Sequence, residues 1–228
     1  MSHIDELAQL GTSTWLDDLS RERLDSGNLE EIISSKSIVG VTTNPAIFAA
    51  AMSKGTAYDA AIAQLKEEGA KADDAVYALA IEDVARACDM FAGIYEASLG
   101  RDGRVSIEVD PRISADAEAT IQQARELWAR VNRPNLMIKV PATEGSLPAI
   151  ADALADGISV NVTLIFSVER YGEVIDTFKK GLRRAEEAGH DVSKIHSVAS
   201  FFVSRLDSEV DKRLEAIGSD AALAARGK

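Results

Sequence analysis

The chain has 228 residues, 46% of them hydrophobic, with 15 Gly and 5 Pro, so it can bury one large core or two small ones and lacks the low-complexity signature of disorder. Its 25 Lys and Arg against 37 Asp and Glu leave a net charge of −12 with no dense basic run, which argues against nucleic acid or an anionic membrane surface as partner; any bound phosphate must be held locally. One cysteine, Cys88, read as a small core residue of a helix, excludes an internal disulfide and cysteine-based metal sets, and His3, His190 and His196 have no ligand spacing. Met1 to Glu6 shows no basic or apolar leader and no run approaches a membrane span, so the default expectation is a cytoplasmic protein.

In chain order, Trp15-Leu16-Asp17 reads as a strand ending in an acid, and the polar stretch from Asp18 to Lys36 has helical spacing at Leu19, Leu24, Leu29, Ile32 and Ile33, with a break at Gly27. The next apolar run begins at Val39 and finishes in Thr42-Thr43-Asn44, where Asn44 suits a helix cap and Pro45 the first helical position. An extended helical region runs from Tyr58 to Leu99; from Asp74 on, Val76, Leu79, Val84, Ala87, Phe91 and Ile94 make one stripe and Gly100 ends it. Val105 to Asp110 is a third strand, and Ser114, with Asp116 and Glu118 in the next turn, is expected to open a helix through Trp128. Then follow a strand at Leu136 to Pro141, a helix at Ser146 to Leu154, a strand at Ile158 to Phe166, a helix at Ser167 to Ala188 closed by Gly189, and a strand at Ile195 to Val203. Ser208 to Lys228 reads as one polar helix with an alanine-rich end. Asn161-Val162-Thr163 matches the glycosylation pattern, but it lies inside an apolar strand and is rejected.

Lys139 stands out. It sits in the run Leu136-Met137-Ile138-Lys139-Val140-Pro141, whose aliphatics on both faces describe a buried strand of a parallel sheet, where an ammonium is costly unless neutralised or paired. A strand-end lysine can also snorkel to solvent or pair with a carboxylate. Polar residues finish the other runs too: Asp17, Asn44, Glu108 and Asp110, Asn161 and Thr163, and Ser200. Repeated strand-helix alternation implies a parallel sheet with right-handed crossovers. The turn after the first strand is Asp17-Asp18-Leu19-Ser20, with no glycine-rich fingerprint, so a TIM (β/α)8 barrel is preferred over a doubly wound sheet, and in a barrel the strand C-termini converge on one face. Strands one to six of such a barrel are countable, as one domain over residues 1–228; two strand-helix units are missing, so the sequence looks truncated, with unpaired edges at strands one and six.

Thr42-Thr43-Asn44-Pro45, Glu108-Val109-Asp110-Pro111-Arg112, Ile138-Lys139-Val140-Pro141-Ala142-Thr143, Asn161-Val162-Thr163-Leu164-Ile165-Phe166 and Ser200-Phe201-Phe202-Val203-Ser204-Arg205 resemble, in order, the motifs of the transaldolase family. The opening Trp15 to Leu24 is most similar to its bacterial branch that includes actinobacterial enzymes. The resemblance covers nearly the whole chain. It implies a class I aldolase-type barrel that moves a dihydroxyacetone unit from sedoheptulose 7-phosphate or fructose 6-phosphate to glyceraldehyde 3-phosphate or erythrose 4-phosphate, in the non-oxidative pentose phosphate pathway, without cofactor or metal, as a monomer or homodimer. By that pattern Lys139 is the Schiff-base nucleophile, consistent with burial favouring a neutral amine. Asp17 takes the C4 hydroxyl proton, with Asp18 the runner-up and a helix-cap role the alternative for the pair. Glu108 acts through a water in forming and hydrolysing the imine, or is a structural partner of Lys139. Asn44, Asn161 and Thr163 match positions that orient substrate hydroxyls and water, supported by Thr42; Ser200 and Arg205 resemble the phosphate site, and Phe202 walls the cavity. The family's second phosphate-binding arginine belongs on a later strand, beyond this sequence. The rivals are a fructose 6-phosphate aldolase-like lyase, disfavoured by the late lysine strand and by Glu108 where a glutamine is expected, a non-catalytic truncated barrel, and a parent chain with a further downstream domain.

Overall fold

The central strands are short and carry polar residues among their aliphatics, and they are buried because both faces of a parallel strand are covered. The computed structural model describes residues 3–228; Met1 and Ser2, part of the stretch read for a leader, lie outside the described residues. A short helix α1 (His3–Gln9) precedes β1 (Thr14–Leu16), α2 (Arg21–Asp25), α3 (Asn28–Ser35), β2 (Ile38–Val41), α4 (Pro45–Met52), α5 (Asp59–Glu67), α6 (Ala72–Ala97) and β3 (Arg104–Glu108). A 3-10 turn at Pro111–Ile113 leads to α7 (Ala117–Val131), β4 (Leu136–Pro141), α8 (Leu147–Ala155), β5 (Val160–Ile165) and α9 (Val168–Glu187). A second 3-10 turn, Val192–Lys194, precedes β6 (Ser197–Phe201), α10 (Val203–Ile217) and α11 (Asp220–Ala224).

All six strands are parallel and lie in the order β1-β2-β3-β4-β5-β6. A doubly wound sheet reverses its strand order, whereas consecutive order with a crossover at every step winds in one direction only. The architecture is therefore an open arc of a (β/α)8 barrel, as expected. Every residue of β3 and β4 is buried, and the core is a continuous aliphatic cluster between these strands and their helices, including Val105, Ile107, Ile138, Val140, Ile150 and Leu154. α8 packs along α9 where Gly181 leaves room; a Cβ there would stand 2.6 Å from Leu154 Cβ.

Local chemistry sets the boundaries. Asn44 Oδ1 accepts the Ile47 N–H at 3.0 Å with Pro45 first in α4, and Gly27, at φ 75°, separates α2 from α3 as expected. Three expectations are corrected. Ser114 does not open α7: it ends the turn that Pro111 starts, and Asp116 is the cap, accepting from Ala119 N at 3.0 Å. β6 stops at Phe201 and Val203 begins α10, so Arg205 lies in the first turn of a helix. The tail is not one helix, because Gly218 in the left-handed region closes α10 and Ser219 caps α11.

Candidate active site

Parallel pairing places Glu108 opposite Lys139 and Lys139 opposite Asn161, so one row of the sheet carries acid, amine and amide on the same face. Lys139 is 5% exposed and Glu108 7%. Lys139 Nζ stands 3.7 Å from Glu108 Oε2 and donates to the Thr43 carbonyl oxygen at 3.1 Å. Thr43 is itself fixed, its hydroxyl donating to the Ser106 carbonyl at 2.7 Å. Burial pushes the Glu108 carboxyl up, against the pull of Lys139 and of Arg205, while Asp17 adds to the rise.

Above this row opens a cleft of about 580 Å³, lined among others by Asn44, Glu108, Lys139, Thr163, Phe202 and Arg205. Six of the ten residues singled out in the sequence therefore meet at one concavity at the C-terminal ends of the strands, where barrel sites sit. The other four are placed differently. Asn161 is buried, with its Nδ2 donating to Ser106 Oγ at 3.0 Å and its Oδ1 accepting from Ser200 Oγ at 2.9 Å, so Asn161 and Ser200 belong to a hydrogen-bonded chain beside the cleft and do not line it. The Thr42 hydroxyl is buried without a hydrogen-bond partner. Asp17 is exposed just beyond β1 and outside the cleft lining, and its charge acts on Glu108. Asp18, the runner-up, pairs with Arg23, and neither acid caps α2: Ser20 does, accepting from Arg23 N at 3.2 Å.

Other residues of the site are not legible from residue type. The Thr43 carbonyl is a backbone group two residues beyond β2, which no side-chain type announces. Ser106 carries a signal, since it stands two residues before Glu108 and shares its face. Leu164 carries none: it sits in the left-handed region at φ 60°, at a register shift between Val162 and Ile165. Tyr77 reaches the Glu108 carbonyl oxygen at 3.4 Å from α6, and burial raises its phenol. Among the described residues no group of three or more His, Cys, Asp or Glu side chains is placed to hold a metal, and no helix is long and apolar enough to cross a membrane.

Residues 14–227 match the sequence profile of the Transaldolase/Fructose-6-phosphate aldolase family. Among curated proteins, the "Transaldolase" of Mycolicibacterium smegmatis is 63% identical over 222 residues, 97% of this chain and 60% of that protein. The "Transaldolase" of Mycobacterium ulcerans is 61% identical over the same shares, and that of Mycobacterium leprae is 60% identical over 97% of this chain and 59% of its own length. The chain thus spans about 60% of the length of these relatives.

Proposed function

The chain belongs to the transaldolase/fructose-6-phosphate aldolase family, and we propose that it acts as a transaldolase, with Lys139 attacking the C2 carbonyl of a ketose phosphate to form a Schiff base. The observation that carries this reading is the near-complete burial of Lys139, 3.7 Å from Glu108, at the floor of a cleft open to ligands. A buried carboxyl with a raised pKa can take a proton from the attacking amine and return it, through a water, to the departing C2 oxygen. The protonated imine then draws in the electron pair of the C3–C4 bond. Asp17 takes the C4 hydroxyl proton, an aldose phosphate leaves, and the three-carbon enamine stays on Lys139 until an acceptor aldehyde forms a new C–C bond and hydrolysis frees the lysine.

Asn44 and Thr163 line the cleft with groups suited to substrate hydroxyls; Thr42, Asn161 and Ser200 support them from the neighbouring strand ends, and Arg205, beside Phe202, offers a planar fork for phosphate. On this reading the substrates are sedoheptulose 7-phosphate or fructose 6-phosphate with a small aldose phosphate acceptor. The protein is a cytoplasmic transferase of carbohydrate metabolism, residues 1–228 forming one domain that supplies six strands of the barrel and leaves it incomplete on its C-terminal side, monomeric or homodimeric, with neither nucleic acid nor membrane as partner and no cofactor.

Borohydride reduction in the presence of fructose 6-phosphate, followed by peptide mass spectrometry, tests the reading. A three-carbon adduct on Lys139 is expected, and a folded sample without one overturns it. The matched family includes an aldolase, so the acceptor is then withheld: release of free dihydroxyacetone at an undiminished rate would favour the lyase.

A further inference from the structure

Arg205 makes no hydrogen bond or ion pair with the described residues, yet its guanidinium carbon lies 4.2 Å from the centroid of the Phe202 ring. A ring face orients the guanidinium plane while leaving its N–H donors unused. Phe202 is in turn stacked on Phe166, ring centroids 5.5 Å apart and planes 23° apart. The three side chains form a layered column, Phe166, Phe202 and Arg205, whose last two members line the cleft.

Phe166 reaches this position only because β5 carries an extra residue. Val162 pairs with Ala199 and Ile165 with Phe201, so three steps on β5 match two on β6. Leu164 absorbs the difference at φ 60°. On either side the chain is held to its neighbours, Ala142 N–H donating to the Thr163 carbonyl at 2.7 Å and Phe202 N–H to the Ile165 carbonyl at 2.9 Å. The bulge reverses side-chain parity: Ile165 turns into the core, and the next residue, Phe166, turns toward Phe202. A left-handed leucine is strained, and strain of this kind persists where surrounding structure enforces it.

We propose that Phe166 is a positioning residue for anion binding: placed by the Leu164 bulge, it holds the Phe202 ring that presents the Arg205 fork to the phosphate group of a sugar phosphate. This rests on the cleft being a sugar phosphate site, and the test separates the two. Binding of inorganic phosphate is measured by isothermal titration calorimetry for the wild type, Phe166→Ala, Phe166→Tyr and Arg205→Met, alongside thermal unfolding; Phe166→Leu substitutes if the alanine variant does not fold. The column predicts a Kd about two- to fivefold weaker in Phe166→Ala, retention in Phe166→Tyr, and about tenfold or greater loss in Arg205→Met. The double variant Phe166→Ala/Arg205→Met should bind no more weakly than Arg205→Met alone. Equal affinity in wild type and Phe166→Ala, absence of phosphate binding by the wild type, or failure of tyrosine to rescue overturns the proposal. Borohydride trapping with unphosphorylated dihydroxyacetone reports Lys139 independently of Arg205. If trapping fails while the phosphate series holds, the Schiff-base reading falls and the column stands.

Discussion

The start of α2, four residues after the acid beyond β1, is tied to α6 by a buried network, and breaking that network should cost several kcal/mol. Asp83 on α6 is fully buried; its Oδ1 accepts from Arg21 Nε at 2.9 Å and its Oδ2 from the Tyr58 hydroxyl at 2.8 Å. The Arg21 backbone N–H donates to the same tyrosine oxygen at 2.8 Å, and the guanidinium lies 5.0 Å from the Tyr58 ring centroid. Arg21 has one other acid, Glu82, at 2.8 Å, but that side chain is 57% exposed and so a weak partner. Asp83→Asn keeps the shape and removes the charge. Two unit charges about 4 Å apart interact by roughly 4 kcal/mol at an effective dielectric near 20, and stranding one member of a buried pair costs about 3–5 kcal/mol. Urea unfolding followed by circular dichroism should show that loss for Asp83→Asn. In a cycle with Arg21→Met and Asp83→Leu, the double variant should recover about 2 kcal/mol or more relative to the sum of the singles. A loss under about 1 kcal/mol for Asp83→Asn, or a strictly additive cycle, would refute the claim that this network pins the start of α2 to α6.

Two further outcomes follow from the site and its scaffold. Burial raises the Glu108 carboxyl above its unfolded value, so the folded state binds that proton more tightly; the stability it contributes is present in full below the ordinary carboxylate range and is lost as pH rises through the raised value. Wild type should therefore lose stability relative to Glu108→Gln as pH rises from the ordinary carboxylate range upward in urea titrations, and a difference that grows in favour of wild type as pH rises would contradict the burial argument. Gly103, at φ 74°, turns the chain from α6 into β3, and a Cβ there would collide with the Tyr95 backbone nitrogen and stand 2.7 Å from the Phe91 carbonyl oxygen. Gly103→Ala should cost about 3 kcal/mol or more in thermal unfolding, whereas Gly27→Ala, at φ 75° with open space around it, should cost about 1 kcal/mol; equal costs would show that backbone strain alone governs both turns.

Much of the site is legible because a parallel strand writes its face into every second residue. Ser106 and Glu108, Met137 and Lys139, and Asn161 and Thr163 all follow that parity, and the register of β3, β4 and β5 sets Glu108 beside Lys139 and Lys139 beside Asn161. Where the reading slips, two residues of similar propensity compete and a neighbour decides. Ser114 and Asp116 both suit a cap, and the turn begun by Pro111 claims the serine. Asp17 follows the pattern of a strand-end acid, and it is exposed because β1 is only three residues long and the chain leaves the sheet directly after Leu16.

Leu164 marks the deeper limit. A leucine has no preference for the left-handed region, unlike glycine or asparagine, so nothing in Thr163-Leu164-Ile165-Phe166 announces that parity reverses there. The cause is not local: Thr163 is bonded to the residue that follows β4 and Ile165 to the residue that follows β6, and one residue must take up the mismatch between those attachments. A strict alternation read through this stretch puts Ile165 in the cleft and Phe166 against the helices, the opposite of what the sheet enforces. The aromatic column beneath Arg205 is therefore a property of three strands acting on one backbone, and the phosphate series on Phe166 and Arg205 is also a test of whether that bulge has a purpose.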